Sequence, residues 1–135
     1  MKFLLDTNIW LEILLKQKKA FGVKRFLESA KPFSFFLTDF SFYSIGIYLL
    51  RSKKHEVFLK FSEDLLVRGG VKLIRNEMAD MINVVKASKS FKLDFDDAYQ
   101  YAVAEKYDLT IISFDADFDR TARGRETPEK ILKTI

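Results

Sequence analysis

The chain has 135 residues, of which 48% are hydrophobic and 31% are charged, and its formal net charge is +4. This length and composition predict a single globular domain over residues 1–135. Because the sequence holds no Cys and one His, disulfides, thiolate catalysis and Cys-ligated zinc are excluded, and a His-pair metal site or a Ser-His-Asp triad is disfavoured.

Four short apolar segments, at 2–6, 33–38, 71–74 and 109–113, have the pattern of buried strands. Stretches with helical periodicity lie between them, at 8–16, 20–30, 40–51, 55–67, 77–88 and 95–107. Strands that alternate with longer helices predict an α/β fold, a three-layer α/β/α sandwich with a central parallel sheet. The polar tail from residue 120 is predicted as a loop before a short apolar end at Ile131-Leu132.

Two features bear on location. The longest apolar run is too short to span a bilayer, and the N-terminal residues lack the pattern of a signal peptide. We therefore expect a cytoplasmic protein with no membrane partner.

Several aspartates lie at the predicted carboxyl ends of the strands or at the start of a predicted helix. Asp6 ends the first strand, Asp97 lies at the start of the last long helix, and Asp115 and Asp117 follow the fourth strand. In an open parallel sheet, ligands bind beyond the carboxyl ends of the strands. If the first and fourth strands are neighbours, these carboxylates share one pocket, which is unfavourable unless cations neutralise them.

Oxygen ligands without Cys or His favour Mg²⁺ or Mn²⁺, and such an ion suits phosphodiester hydrolysis. Each acid also has a simpler explanation. Asp6 and Asp115 could cap helices or turns, and Asp97 could be an acid favoured by the helix dipole. Taken together, at one edge of one sheet, the acids favour a metal site.

The charge distribution suggests a polyanionic partner. Seven of the eleven Asp residues lie between 94 and 119, and basic clusters surround this focus in the sequence. Arg120, Arg123 and Arg125 directly follow the acidic segment and are candidate phosphate contacts for an RNA strand. Charge alone favours the simpler explanation, a solvated surface of mixed sign. A mobile basic tail explains the three arginines as well as phosphate contacts do.

Three motifs resemble one family. They are Leu4-Leu5-Asp6-Thr7-Asn8, then Asp97-Ala98 opening a helix, and Ser113-Phe114-Asp115-Ala116-Asp117-Phe118 after the fourth strand. In order and separation they are similar to the PIN domain, particularly the small VapC-type toxins of toxin–antitoxin pairs.

The resemblance implies a Mg²⁺- or Mn²⁺-dependent endoribonuclease that acts on RNA, forms a homodimer and is neutralised by an antitoxin protein. It further implies that Asp6, Asp97 and Asp115 are metal ligands, that Asp117 joins them in catalysis, and that Asn8 and Ser113 support them.

One position departs from the family pattern. The family usually carries a glutamate on the helix after the second strand, and Ser44 stands there in this chain. Asp39 is nearby but is predicted to be the helix N-cap. Ser44 is expected in a supporting role, since its hydroxyl could hold a metal-bound water but cannot supply the missing charge. The alternative function is therefore a catalytically weak or inactive PIN fold that binds RNA or protein. A phosphatase or response-regulator fold fits the spacing of the acids less well, since Asn8 stands where a phosphatase of the haloacid-dehalogenase type would want a second acid.

Overall fold

A computed structural model describes residues 1–29, 34–68 and 70–134, apart from the side chains of residues 66–68. Its sheet has four parallel strands in the order β3-β2-β1-β4. The strands are β1 (Lys2–Leu5), β2 (Ser34–Thr38), β3 (Val71–Ile74) and β4 (Thr110–Ile112). All four predicted strands are confirmed, although residue 33 of the second prediction lies outside the described residues.

The described part of the chain contains seven α-helices. They are α1 (Thr7–Leu14), α2 (Ala20–Ser29), α3 (Asp39–Arg51), α4 (His55–Arg68), α5 (Met81–Phe91), α6 (Phe95–Tyr107) and α7 (Pro128–Leu132), with short 3₁₀ segments at Met78–Asp80 and Ala116–Arg120. None of these helices reaches the length and apolarity that crossing a membrane requires.

The helices cover both faces of the sheet, as the alternation in β1 requires. Phe3 and Leu5 point into one apolar cluster, which α1, α2, α3, α4 and α7 complete. Leu4 points into the opposite cluster, which α5 and α6 complete. Successive side chains of a strand face opposite sides of a sheet, so this segregation confirms the three-layer α/β/α sandwich.

The C-terminal segment is more ordered than predicted. Instead of a loop that leads to an apolar end, Pro128–Leu132 forms α7, with Pro128 in its first turn. The Thr127 side chain accepts a hydrogen bond from the backbone N–H of Lys130. This N-cap followed by proline is a helix-start signal that is present in the sequence.

Register brings the first and fourth strands side by side. Leu4 pairs with Ile111, and the backbone N–H of Asp6 donates to the Ile112 carbonyl at 3.0 Å. The carboxyl ends of β1 and β4 therefore meet at one edge of the sheet, which is the arrangement that the acidic motifs require.

Candidate metal centre

An acidic cleft of about 230 Å³ lies at the carboxyl edge of the sheet. Its walls come from the start of α1, from α3 and from the first turns of α6. The residues that line it are Asp6, Thr7, Asn8, Leu11, Phe40, Ser44, Asp96, Asp97, Gln100 and Asp115. No Lys or Arg is among these described lining residues, so the wall of the cleft itself carries carboxylates and no cationic side chain.

Three carboxylates are close enough to share one cation. One oxygen from each of Asp97, Asp115 and Asp117 lies within 4.8 Å of the others. That separation is about twice the 2.0–2.1 Å distance at which Mg²⁺ binds oxygen, so one ion could contact all three after a small movement. An all-carboxylate donor set suits a hard divalent ion, which is the chemistry that the sequence predicts.

The raised pKa of Asp97 reflects its burial and the uncompensated negative charge of the cluster. Burial, then the negative charges of Asp96, Asp115 and Asp6, raise the pKa of Asp97 to about 8. A carboxylate with such a pKa gains stability from a proton or from a cation. A divalent ion would neutralise the cluster without protonating it.

Asp6 lies deeper than the other acids, with only 6% of its surface exposed. Its Oδ2 accepts a hydrogen bond from Ser113 Oγ at 2.7 Å, and its Oδ1 accepts from the Thr7 N–H at 2.9 Å. Burial raises the pKa of Asp6, against the opposing effect of these hydrogen bonds. Asp6 thus caps α1, as one sequence-based explanation held, and it also lines the cleft, where its role as a metal ligand stays a prediction.

The three converging carboxylates differ in one member from the three predicted ligands, and which acids bind a metal stays a prediction. We expected Asp6, Asp97 and Asp115, and the carboxylate oxygens that converge are those of Asp97, Asp115 and Asp117. Both Asp6 oxygens are hydrogen-bonded within the chain, and Asp115 Oδ1 likewise accepts from the Asp117 N–H at 2.8 Å. Asp117 also accepts from Arg120 at 3.0 Å, so a cation would share this carboxylate with a guanidinium group.

Gln100 is a part of the site that the sequence analysis missed. Its Nε2 donates to Asp6 Oδ1 at 3.1 Å and to Ser41 Oγ at 2.9 Å, and its Oε1 accepts from Thr38 Oγ1 at 2.6 Å. The residue lies one helical turn after Asp97, on the same side of α6. That spacing was the available signal, because a polar residue within an otherwise apolar helix face needs buried partners.

Asn8 and Ser113 join the two strand ends. Ser113 Oγ accepts from the Asp115 N–H at 2.9 Å and from Asn8 Nδ2 at 3.2 Å, while it donates to Asp6. Asn8 Oδ1 accepts from the Phe114 N–H at 3.2 Å. These contacts hold the segment that carries Asp115 against the end of β1, which fits the supporting roles predicted for both residues.

Ser44 lines the cleft, and no acid of α3 is among the described residues that line it. Asp39 does not compensate for it. Asp39 Oδ1 accepts from Tyr99 Oη at 2.8 Å and from the Phe40 N–H, and the Asp39 carboxylate is not among the described groups that line the cleft. The prediction of Asp39 as N-cap is wrong, because Thr38 caps α3 through its Oγ1 and Asp39 is the first helical residue.

The three candidate phosphate contacts are engaged within the chain. Arg120 donates to the Phe91 and Lys92 carbonyls and to Asp117, Arg123 to Asp108 and Leu109, and Arg125 to Asp119 and Ser113. These hydrogen bonds hold the loop after β4 in place, and none of the three arginines is among the described residues that line the cleft. Each of the three arginines has partners within the chain, and their role as phosphate contacts stays a prediction.

The family model of the PIN domain matches residues 3–124. No curated protein matches the chain. Among solved structures, the fold is similar to that of VapC20 from Mycobacterium tuberculosis, a sarcin-ricin loop cleaving toxin, with a TM-score of 0.77 and 18% identity over 93% of this chain and 99% of that one.

Two further structures share the fold. VapBC2 from Rickettsia felis, bound to a DNA fragment from its promoter, has a TM-score of 0.77 and 14% identity, over 93% of this chain and 96% of that one. A toxin–antitoxin complex from Klebsiella pneumoniae has a TM-score of 0.72 and 22% identity, with the same coverage of 93% and 96%. At these identities the structural likeness establishes the fold.

Proposed function

The chain belongs to the PIN domain family, and from this premise we propose that it is a metal-dependent endoribonuclease and the toxin of a toxin–antitoxin pair. Members of this family are generally nucleases that use divalent metals. In this proposal residues 1–135 form one cytoplasmic domain whose substrate is RNA. An RNA strand would enter the cleft unpaired, because one backbone phosphate must reach the carboxylates.

The observation that carries the proposal is the convergence of Asp97, Asp115 and Asp117 beside buried Asp6. We assign Asp97, Asp115 and Asp117 as the groups that would hold Mg²⁺ or Mn²⁺. A divalent ion in such a site lowers the pKa of water and stabilises charge on a phosphoryl oxygen. Asp6, fixed by Ser113 and Gln100, orients the segment that carries Asp115 and adds negative charge beneath the ligands.

The partners follow from the same premise. The structures of similar fold include VapBC2 and a second toxin–antitoxin complex, which supports an antitoxin as partner of this chain. We also propose a homodimer. Exposed apolar side chains form two ridges. One lies on α3 and consists of Tyr43, Ile47 and Leu50, and the other runs from the 3₁₀ segment into α5 and consists of Met78, Ile82 and Val85.

Cleavage of RNA tests the enzyme directly. Purified protein is incubated with single-stranded and structured RNAs in Mn²⁺ or Mg²⁺, beside an Asp115→Asn variant and an Asp64→Asn control on α4. We expect metal-dependent cleavage that Asp115→Asn abolishes and Asp64→Asn retains. Cleavage that persists in EDTA or in Asp115→Asn would contradict the assignment of the site.

Ser44 favours the second candidate function, a weakly active or inactive PIN fold that binds RNA or protein. Ser44→Glu places a carboxylate on the cleft wall, and we expect it to tighten Mn²⁺ binding by about tenfold, since ligand charge governs affinity for hard cations. Ser52→Glu, at the exposed C-terminal end of the same helix and outside the described cleft lining, is the matched control. An inactive parent chain with an active Ser44→Glu variant would support the binding module.

A further inference from the structure

A second cavity, of about 320 Å³, lies beside Phe114, the residue that directly precedes Asp115. Phe114, Val23, Pro128 and Leu132 supply apolar walls, and Lys19 is among the polar groups at the cavity. Its volume is at the lower end of the roughly 300–1,000 Å³ range of small-molecule sites, so it suits a group about as large as one nucleobase.

The cavity is coupled to the acidic cleft by the chain itself. Consecutive Cα atoms are about 3.8 Å apart, so Phe114 and Asp115 place the two sites next to each other. Asn8 lines the cleft, and its Oδ1 accepts from the Phe114 N–H at 3.2 Å. The wall that Phe114 contributes is therefore held in a defined position relative to the carboxylates.

The cavity supplies the cations that the cleft lacks. Lys19 Nζ lies 4.5 Å from the centroid of the Phe114 ring, and the backbone N–H of Lys19 donates to the Glu12 carboxylate at 2.9 Å. Arg25 also lines the cavity. Glu129 lines it too, but Lys133 pairs with that carboxylate at 3.4 Å. An anionic ligand is therefore favoured on the side of Lys19 and Arg25.

The surface around α2 extends this pattern. Lys18 and Lys24 are exposed, and the Phe21 ring, 73% exposed, directly precedes Gly22, which lines the cavity. Basic side chains that alternate with aromatic rings are typical of surfaces that bind single-stranded nucleic acid, where rings stack on bases and cations contact phosphates.

We propose that this cavity is a subsite for one unpaired nucleotide of the RNA, next to the phosphate in the acidic cleft. The base enters among the apolar side chains and the Phe114 ring, and its phosphate contacts Lys19 and Arg25. The subsite rests on the proposed function and deepens it, because it gives the enzyme a place at which to distinguish one base from another.

Gly22 allows the cavity to be narrowed without disturbing the core. A Cβ built at Gly22, which lines the cavity, meets no heavy atom within 4 Å. We therefore expect Gly22→Leu to narrow the cavity, and Gly22→Ala is the matched control. Binding of fluorescent single-stranded RNA octamers, oligo(A), oligo(C) and oligo(U), is measured by anisotropy in EDTA, and the folding of each variant is checked by circular dichroism.

For the octamer that the parent chain binds best, we expect Gly22→Leu to weaken binding by about tenfold, as loss of one stacked base does. Gly22→Ala should remain within about twofold of the parent. Lys19→Gln should also weaken binding and reduce its salt dependence, whereas Lys60→Gln on α4 should not.

The outcomes separate the subsite from the enzyme. If the parent chain binds and cleaves RNA and Gly22→Leu does so with unchanged affinity and cleavage pattern, the subsite is wrong, the nuclease stands, and the cavity is left to a protein partner. If the parent chain neither binds nor cleaves RNA, the proposed function fails and the subsite fails with it.

Discussion

Gln100 is the single residue that joins the elements beneath the acidic cleft. It is 2% exposed and forms hydrogen bonds to Asp6 on the β1 side and to Thr38 and Ser41 on the β2 side. Because an amide both donates and accepts, it satisfies a carboxylate oxygen and two hydroxyl groups at once. Its removal leaves buried polar atoms of three other residues without that partner.

We therefore expect Gln100→Leu to lower the free energy of unfolding by about 1–3 kcal/mol, the cost of buried groups that lose their hydrogen bonds. Urea denaturation measures the change. Glu105→Leu, at an exposed position of the same helix, is the control and should stay within about 0.5 kcal/mol of the parent. Equal stability of the two variants would mean that the network contributes nothing net to the fold.

Asp97 makes the stability of the metal-free chain depend on pH. Its pKa in the folded chain is about 8, above the ordinary value of 3.8, so the folded chain holds a proton that the unfolded chain releases. Stability is then highest below the unfolded pKa and falls as pH rises towards 8. Burial raises the pKa of Asp6 as well, which adds a dependence of the same sign.

Asp97→Asn removes the Asp97 part of this dependence. In EDTA we expect its melting temperature to exceed that of the parent by about 3–5 °C at pH 8 and to match it near pH 4. Asp64→Asn should follow the parent at both values. Saturating Mn²⁺ should stabilise the parent most at high pH, because metal binding needs the ionised carboxylates. Identical pH profiles for parent and Asp97→Asn would contradict the prediction.

At the scale of secondary-structure elements, α3 and α4 pack closely at Gly46. A Cβ at this position would lie 2.9 Å from Phe58 Cζ, closer than a packed ring allows. The Phe58 ring also contacts Phe42 at a centroid distance of 5.2 Å. The close approach positions α3, whose first turns form one wall of the acidic cleft.

Gly46→Ala should therefore destabilise the chain, although alanine favours helix. Overpacking costs about 1–3 kcal/mol and the gain in helix propensity is about 1 kcal/mol, so we expect a net loss of up to about 2 kcal/mol. Gly22→Ala on α2, where the Cβ meets open space, should raise stability. Thermal melts of the two variants check whether the shifts have opposite signs.

The elements themselves were largely predictable, and their ends were less so. Apolar runs and helical periodicity predicted all four strands and the helices α1 to α6, since both depend on local spacing. The cap of α3 was assigned to Asp39 and belongs to Thr38, because either residue type can cap and only the hydrogen bond to the Ser41 N–H distinguishes them. Helix α7 was not predicted, although Thr127 as N-cap and Pro128 in the first turn are typical of a helix start.

At the scale of the whole molecule, two apolar ridges are exposed on the surface, outside the buried core. Ile47 on α3 is 54% exposed and Ile82 on α5 is 62% exposed, each within a ridge of three apolar residues. Apolar side chains grouped in this way are typical of protein interfaces. The homodimer that we propose would cover them.

If it does, Ile47→Asp or Ile82→Asp should shift the mass measured by sedimentation equilibrium from dimer towards monomer, since a buried unpaired carboxylate opposes association. Leu59→Asp on α4, 52% exposed and outside both ridges, should leave the mass unchanged. A monomeric parent chain, or a dimer that both ridge variants retain, would contradict the homodimer.

Local sequence was enough to identify the fold class and the family, and to single out the aspartates. Strand and helix patterns depend on neighbouring residues, and the residues of each acidic motif lie within a few positions of one another. Asp6, Asp97 and Asp115 were therefore recognisable as candidates before any contact was known.

Only the folded chain determines which of these acids converge and which is buried. Which carboxylates converge depends on the depth of each side chain and on hydrogen bonds between residues about a hundred positions apart, such as Ser113 to Asp6 and Gln100 to Asp6. Folding turned Asp6 into a buried, hydrogen-bonded acid and brought Asp117 to the other two carboxylates. It also paired the three arginines within the chain. The pairs of Arg120 with Asp117 and of Arg125 with Asp119 are local, whereas the bonds from Arg120 to the Phe91 and Lys92 carbonyls join distant segments, and long-range geometry of that kind is contained in no local pattern.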